Sequence, residues 1–244
     1  MKVLGISGSP RHGNTDILVR EALSAAGELK DVETEFISMA DCRIAGGCKS
    51  TYRCRKAPLE ELCSDYDDDA NMIMRKMLEA DGILVGVPVY WGGVTAQLKA
   101  LMDRTMPIEF NGYPLRNKVG GALTVAFTRQ GGLEHTIAEV HRWFLMHDMV
   151  VVSVGPERPK EGIGCFWGAA ALQGWPESVS FSSNPKGSLS AVKQDSIGMN
   201  AARFIGKRVV ELAKFIKAGV SQIQKDELVW APFGGKDIVF HPGE

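Results

Sequence analysis

Short apolar blocks alternate with longer amphipathic stretches along the first two thirds of the chain. Lys2–Ile6 (KVLGI) is a compact apolar run opening into SGSPRHGNT, so it reads as a buried strand that feeds a polar loop. Asn14 or Thr15 is placed to cap a helix reaching about Ala26, whose Leu18, Ala22, Ala25 and Leu29 recur at helical spacing. Glu33–Ile37 alternates as a second strand, and residues 38–67 are irregular. Asp68–Glu79 predicts a helix, Gly82–Val87 a third buried strand stopped by Pro88, and Ala96–Thr105 another helix. Lys118–Phe127, Leu133–His147 and Met149–Val154 continue as strand, helix and strand. Residues 155–190, rich in Gly, Pro and Ser, read as an inserted loop. A last helix at about 192–218 carries the stripe Ile197, Ala201, Ile205, Val209, Leu212 and Ile216, and 227–244 form an extended tail.

The strands show no polar face, which predicts an α/β fold with a parallel sheet covered on both sides. Right-handed crossovers make that sheet doubly wound, and ligands then bind beyond the carboxyl ends of the strands. No period of 20–50 residues repeats, which excludes a solenoid. Residues 1–219 are expected to form one domain, with insertions at 38–67 and 155–190, followed by a tail at 220–244. The composition agrees: 244 residues, 45% hydrophobic and 23% charged. Lys+Arg 28 against Asp+Glu 29 leaves no basic excess for binding nucleic acid. No apolar run approaches the ~20 residues of a membrane span. The strand-like start shows no signal peptide, so a cytoplasmic protein is expected.

Three loops at the carboxyl ends carry candidate chemistry. Ser7–Thr15 is small, polar and Gly-containing, and it opens a helix. Free N–H groups and the dipole at a helix N-terminus favour phosphate. Ser9, Asn14 and Thr15 add donors and Arg11 a cation. Neither the dinucleotide nor the nucleoside-triphosphate fingerprint is present. Pro88, Val89, Tyr90, Trp91 and Gly92 follow the third strand; the aromatics are either a platform for a flat heterocycle or a core pair. Thr128, Arg129, Gly131 and Gly132 follow the fourth strand and open another helix. One loop for a phosphate and two for a ring together describe a mononucleotide with a planar head.

On these residues — GSPRHGNT, then GVPVYWGGVTAQLKALMDR, then TRQGGLEHT — the chain resembles the flavodoxin-like NAD(P)H-dependent FMN reductase family. That family includes the tryptophan-repressor-binding-protein type quinone reductases and the iron–sulfur flavoproteins. The resemblance covers roughly residues 1–152 and extends weakly to about 218. It implies a five-stranded sheet in the order 2-1-3-4-5 and FMN, with its phosphate at Ser9, Arg11, Asn14 and Thr15. The ring would lie along Pro88–Gly92 and Thr128–Gly132. It further implies NAD(P)H as co-substrate, a quinone, free flavin or other small electron acceptor, and a homodimer or homotetramer. His147 is placed like a flavin-proximal His of the quinone-reductase branch, where it would act catalytically as a proton donor; a helix C-terminal cap is the other reading.

Four of the five Cys fall in one insertion, as Cys42-x5-Cys48-x5-Cys54-x8-Cys63. Zinc sites usually use C-x2-C pairs, and none occurs. The iron–sulfur flavoproteins carry a compact cysteine motif in this region, but this chain has Ala45 and Thr51 where further Cys would fall. A [4Fe–4S] cluster, and with it an electron-carrier function, therefore stays open but is not preferred over free thiols. Asp65, Asp67, Asp68 and Asp69 lack the Gly and terminal Glu of a Ca²⁺ loop. His135, His141 and His147 are each turned ~240° from the last on a helix and cannot share a face, so no metal ligand is assigned.

Overall fold

The computed structural model describes residues 1–155, 164–173, 189–224, 227–228 and 230–234. Six strands, β1 Lys2–Ser7, β2 Glu33–Ser38, β3 Gly82–Pro88, β4 Val119–Ala126, β5 Val150–Val151 and β6 Ala169–Leu172, form one parallel sheet among these residues. Its order is β2-β1-β3-β4-β5. The helices are α1 Asn14–Gly27, α2 Ala70–Glu79, α3 Ala96–Asp103, α4 Met106–Phe110, α5 Leu133–Met146 and α6 Ser196–Val220. Alternate residues of the central strands feed two cores. Leu4, Ile6, Ile83 and Val85 pack with Ile73, Leu101 and Phe144 on one face. Val3, Leu84 and Leu123 pack with Leu18, Ile205 and Val209 on the other. This is the doubly wound arrangement that strands buried on both sides require. Helices α1 and α6 touch closely at Gly206, where a Cβ would stand 2.0 Å from the Ala22 carbonyl oxygen.

The fifth sheet position departs from the expected single strand at 149–154. β5 pairs only with Val119 and Gly120, and β6 pairs with Leu123–Ala126 further along β4. β3 already occupies the other edge of β4, so β5 and β6 lie in series on the remaining one. The 155–190 insertion thus returns a strand to the sheet and is not wholly loop. Ala169–Leu172 (AAAL) lacks the β-branched and aromatic residues that mark a strand, and its pairing is imposed by tertiary contact.

Two helix readings are also corrected. The helix expected at 96–105 stops at Asp103, because Pro107 in the first turn of α4 has no N–H to continue the ladder. α1 is capped by Gly13 and by no side chain, so neither Asn14 nor Thr15 is its cap. In the tail, Asn117 Nδ2 donates to the Pro232 carbonyl at 2.6 Å, so residues 230–234 return to the loop before β4 of the same chain. Trp175 and Phe240, large apolar groups of the 155–190 insertion and the tail that are expected to be buried at an interface between copies of the chain, lie outside the described residues. No helix among the described residues is long and apolar enough to cross a membrane.

Candidate functional site

β1 and β3 end side by side, with Ser7 opposite Gly86, and the order reverses here. The loops that follow are stitched together: Gly8 N–H donates to the Gly86 carbonyl at 2.7 Å, and Thr95 Oγ1 donates to the Gly8 carbonyl at 2.7 Å. Thr95 also caps α3, accepting from Leu98 N–H. Beyond these ends opens a cavity of about 190 Å³. Ser9, Arg11, Gly13, Asn14 and Thr15 line one end; Pro88, Val89, Tyr90, Val125, Phe127 and Gln173 line the other. The cavity joins the two loops assigned to phosphate and ring.

At the phosphate end, the uncapped N-terminus of α1 points its dipole and orphan donors at the cavity. Thr15 is almost fully buried, and its hydroxyl has no hydrogen-bond partner among the described residues. Ser9 is committed locally, donating to the Arg11 carbonyl at 2.6 Å and accepting from Arg11 N–H at 3.2 Å. Asn14 Oδ1 accepts from Val192 N–H at 3.0 Å, which ties the loop to the turn at Ala191–Gln194. Asp16, an acid in the first turn, is engaged by His12 Nδ1 at 2.8 Å and Ser38 Oγ at 3.2 Å. Asp16 first and then Asp41 hold the His12 imidazole above its ordinary pKa. The imidazole stands between these two carboxylates, so both are engaged away from the cavity. The donors, the cation and the open helix end fit the phosphate of a mononucleotide.

At the ring end, Tyr90–Gly93 is a two-residue hairpin turn closed by bonds in both directions between Tyr90 and Gly93. Trp91 at φ 50° and Gly92 at φ 84° are both left-handed, as a type I′ turn requires. Trp91 is wholly exposed, which removes the core-pair reading, while Tyr90 is half-exposed and lines the cavity. Val89 N–H is taken by the Val125 carbonyl, and Tyr90 and Gly93 bond each other. Trp91 and Gly92 therefore present the backbone N–H groups of this turn without a partner among the described residues. The third loop packs on the second: a Cβ at Gly132 would stand 2.7 Å from the Gly92 carbonyl oxygen. Gly131 closes the turn from Thr128, but the Thr128 and Arg129 side chains are exposed and do not line the cavity. Their places are taken by Val125, Phe127 and Gln173.

His147 is not brought to this cavity. It lines a second one of about 420 Å³, with Trp143, Thr105 and Met102, that shares no lining residue with the first. Thr105 Oγ1 donates to the Met102 carbonyl at 2.7 Å and accepts from Trp143 Nε1 at 3.0 Å. Its one proton is thus used, so His147 Nε2, 2.8 Å away, is the donor to it. Nδ1 has no partner, and burial pushes the imidazole pKa down to about 4. His147 is a neutral buried histidine at the end of α5 and, within this chain, no proton donor to the first cavity.

The cysteines divide. Cys48, Cys54 and Cys63 line one closed pocket with Arg104. Cys42 lies apart, its thiol donating to the Ser38 carbonyl at 3.4 Å and pushed up to about 11 by burial and by Asp69 and Asp41. Among the described residues the cysteines are unpaired, and no three His, Cys, Asp or Glu side chains converge on one ion. The aspartates hold the loop instead: Asp68 accepts from Ala45 N–H and pairs with Arg104, and Asp69 accepts from Arg43 N–H.

A parallel sheet wound 2-1-3-4-5, with a cavity at the β1/β3 switch point, defines a flavodoxin-like protein. The family model described as NADPH-dependent FMN reductase matches residues 1–155, and the chain belongs to that family. It is 45% identical over 218 residues to an iron–sulfur flavoprotein of Methanocaldococcus jannaschii, covering 89% of this chain and 100% of that one. It is 28% identical to an NAD(P)H dehydrogenase (quinone) of Chromohalobacter salexigens, over 70% of this chain and 84% of the other. Among solved structures it resembles RosB with a bound 8-demethyl-8-formylriboflavin-5'-phosphate intermediate at a TM-score of 0.62 and 18% identity, covering 95% and 90% of the two chains. That likeness establishes the fold. By family the protein is an FMN-dependent oxidoreductase.

Proposed function

We propose that this chain takes electrons from NAD(P)H and passes them to a quinone, free flavin or another small acceptor through non-covalently bound FMN. The cavity joining the α1 N-terminus to the Tyr90–Gly93 turn carries the reading. FMN, when bound, supplies the hydride and electron chemistry. The α1 N-terminus, Arg11 and Thr15 hold its phosphate. Pro88, Val89 and Tyr90 bound the ring, and the Trp91 and Gly92 N–H groups are placed to stabilise negative charge that develops there. No side-chain acid or base is required, which agrees with His147 standing elsewhere. The exposed Trp91, Trp167 and Trp230 support self-association as a dimer or tetramer. Steady-state oxidation of NADPH and of NADH by the FMN-loaded protein, with a benzoquinone as acceptor, tests this. Turnover with at least one nicotinamide is expected; no reduction by either refutes it.

A second reading, an electron carrier using FMN and an iron–sulfur cluster, is favoured by one observation: three thiols and a buried arginine share one pocket. Acid-labile sulfide and a brown colour in protein purified without oxygen distinguish it.

A further inference from the structure

We infer that Glu139, on α5, is a positioning residue that holds the Tyr90–Gly93 turn where its N–H groups favour reduced over oxidised FMN. This rests on the FMN reading above and specifies how its ring end is held. The turn has little support of its own. Its internal bonds are the two between Tyr90 and Gly93, Trp91 is wholly exposed, and a Cβ at Gly92 would meet nothing within 4 Å. A single short hairpin is marginally stable at best without outside contacts. The entering arm is fixed by the sheet, through Val89 N–H and the Val125 carbonyl at 2.9 Å. The leaving arm runs into α3 and has no strand to pair with. Its Val94 N–H is taken instead by Glu139 Oε2 at 2.9 Å, from a helix 45 residues further along the chain.

The second glycine of the loop serves this contact. Gly92 is left-handed, as the turn requires, but Gly93 is not. A Cβ at Gly93 would stand 2.7 Å from Glu139 Oε2, so the approach of the carboxylate, and not backbone conformation, accounts for glycine there. Glu139 is half-buried and forms no ion pair among the described residues; Lys99, which lines the same cavity, pairs with Asp103 instead. The next residue, Thr95, is fixed to the Gly8 carbonyl. The leaving arm is therefore clamped twice, at Val94 to α5 and at Thr95 to the loop after β1. Glu139 lines the second cavity and not the first, so it acts through the turn and not on the flavin itself. Donors aimed at developing negative charge depend on a fixed position, and a misplacement of about 1 Å costs on the order of 100-fold. With one clamp of two removed, an effect of about tenfold is expected.

The test compares Glu139→Gln, Glu139→Asp and Glu139→Ala in the full-length chain. It reads the midpoint potential of bound FMN, and the amide resonances and hydrogen exchange of Trp91, Gly92 and Val94 with and without FMN. Gln keeps the reach and the accepting oxygen but not the charge; Asp keeps the charge but not the reach. In the Asp and Ala variants, Val94 N–H should exchange faster without FMN. The ratio of affinities for reduced and oxidised FMN should fall about tenfold, which lowers the two-electron potential by about 30 mV. Glu139→Gln should show neither change, and Glu139→Asp covers the case in which Glu139→Ala fails to fold. Faster exchange at an unchanged potential overturns the inference and leaves Glu139 a structural residue only. A fall in Glu139→Gln as large as in Glu139→Ala also overturns it, because the charge and not the bond would then be responsible. If FMN leaves the Trp91 and Gly92 resonances of the parent unmoved, the ring assignment itself fails.

Discussion

Replacing Thr15 by Val removes one hydroxyl and keeps the side chain's shape. The methyl retained is the one that faces Gly86, so packing at the start of α1 is preserved. The hydroxyl lines the cavity and bonds to nothing else among the described residues, so stability without FMN should barely change. A hydrogen bond to a charged group contributes about 1.5–3 kcal/mol, so the loss appears as FMN affinity lower by roughly 10- to 150-fold. Asn14→Ala should behave differently. Its Oδ1 anchors the buried Val192 N–H at 3.0 Å. Leaving that donor unpaired costs about 1–3 kcal/mol of folding before any ligand is added. Fluorescence titration of FMN and urea unfolding of both FMN-free variants separate the two effects. Unchanged FMN affinity in Thr15→Val, or a loss of stability as large as its loss of binding, refutes the phosphate assignment.

Two histidines should give opposite pH signatures. The raised pKa of His12, due to Asp16 and then Asp41, gives stability that is complete below about 6.5 and lost as pH rises through the folded value; melting temperatures across that range should show the loss in the parent and not in His12→Gln. His147, pushed from 6.5 down to about 4 by burial, should favour unfolding as pH falls through that interval, by of the order of 3 kcal/mol, and urea unfolding of His147→Phe should lack this component. Gly206→Ala should destabilise by about 1–3 kcal/mol, because its Cβ meets the backbone of Ala22, whereas Gly219→Ala, with nothing within 4 Å, should not; urea midpoints decide.

Most of the frame was legible because continuous apolar runs such as KVLGI and GILVGV have one use, as strands buried on both faces. The four long strands and the helices between them follow from that pattern and its punctuation. β6 escaped it because three alanines and a leucine carry no strand preference, and their pairing depends on β4 being there to receive them. Gln173, which reaches the cavity from just beyond β6, was hidden for the same reason. Local chemistry marked the loop at Ser9–Thr15, which lines the cavity, but not how its donors are spent. Ser9 turns onto Arg11, and Asn14 onto a turn some 180 residues away, a partner no local spacing reveals. His147 matched a family position, yet its surroundings, Trp143 and Thr105, are set by how α5 packs on the break between α3 and α4. The cysteine spacing does not reveal that Cys48, Cys54 and Cys63 line one pocket, because that proximity depends on non-local contacts such as Cys63 N–H to Asn71.

The most direct measurement is a crystal structure of the chain grown with FMN. The phosphate should lie at the α1 N-terminus against Arg11 and Thr15, with the ring reaching Pro88–Gly92 at the carboxyl edge of the sheet. FMN bound at the amino-terminal edge, or in the cavity beside His147 with the first cavity empty, would contradict the assignment.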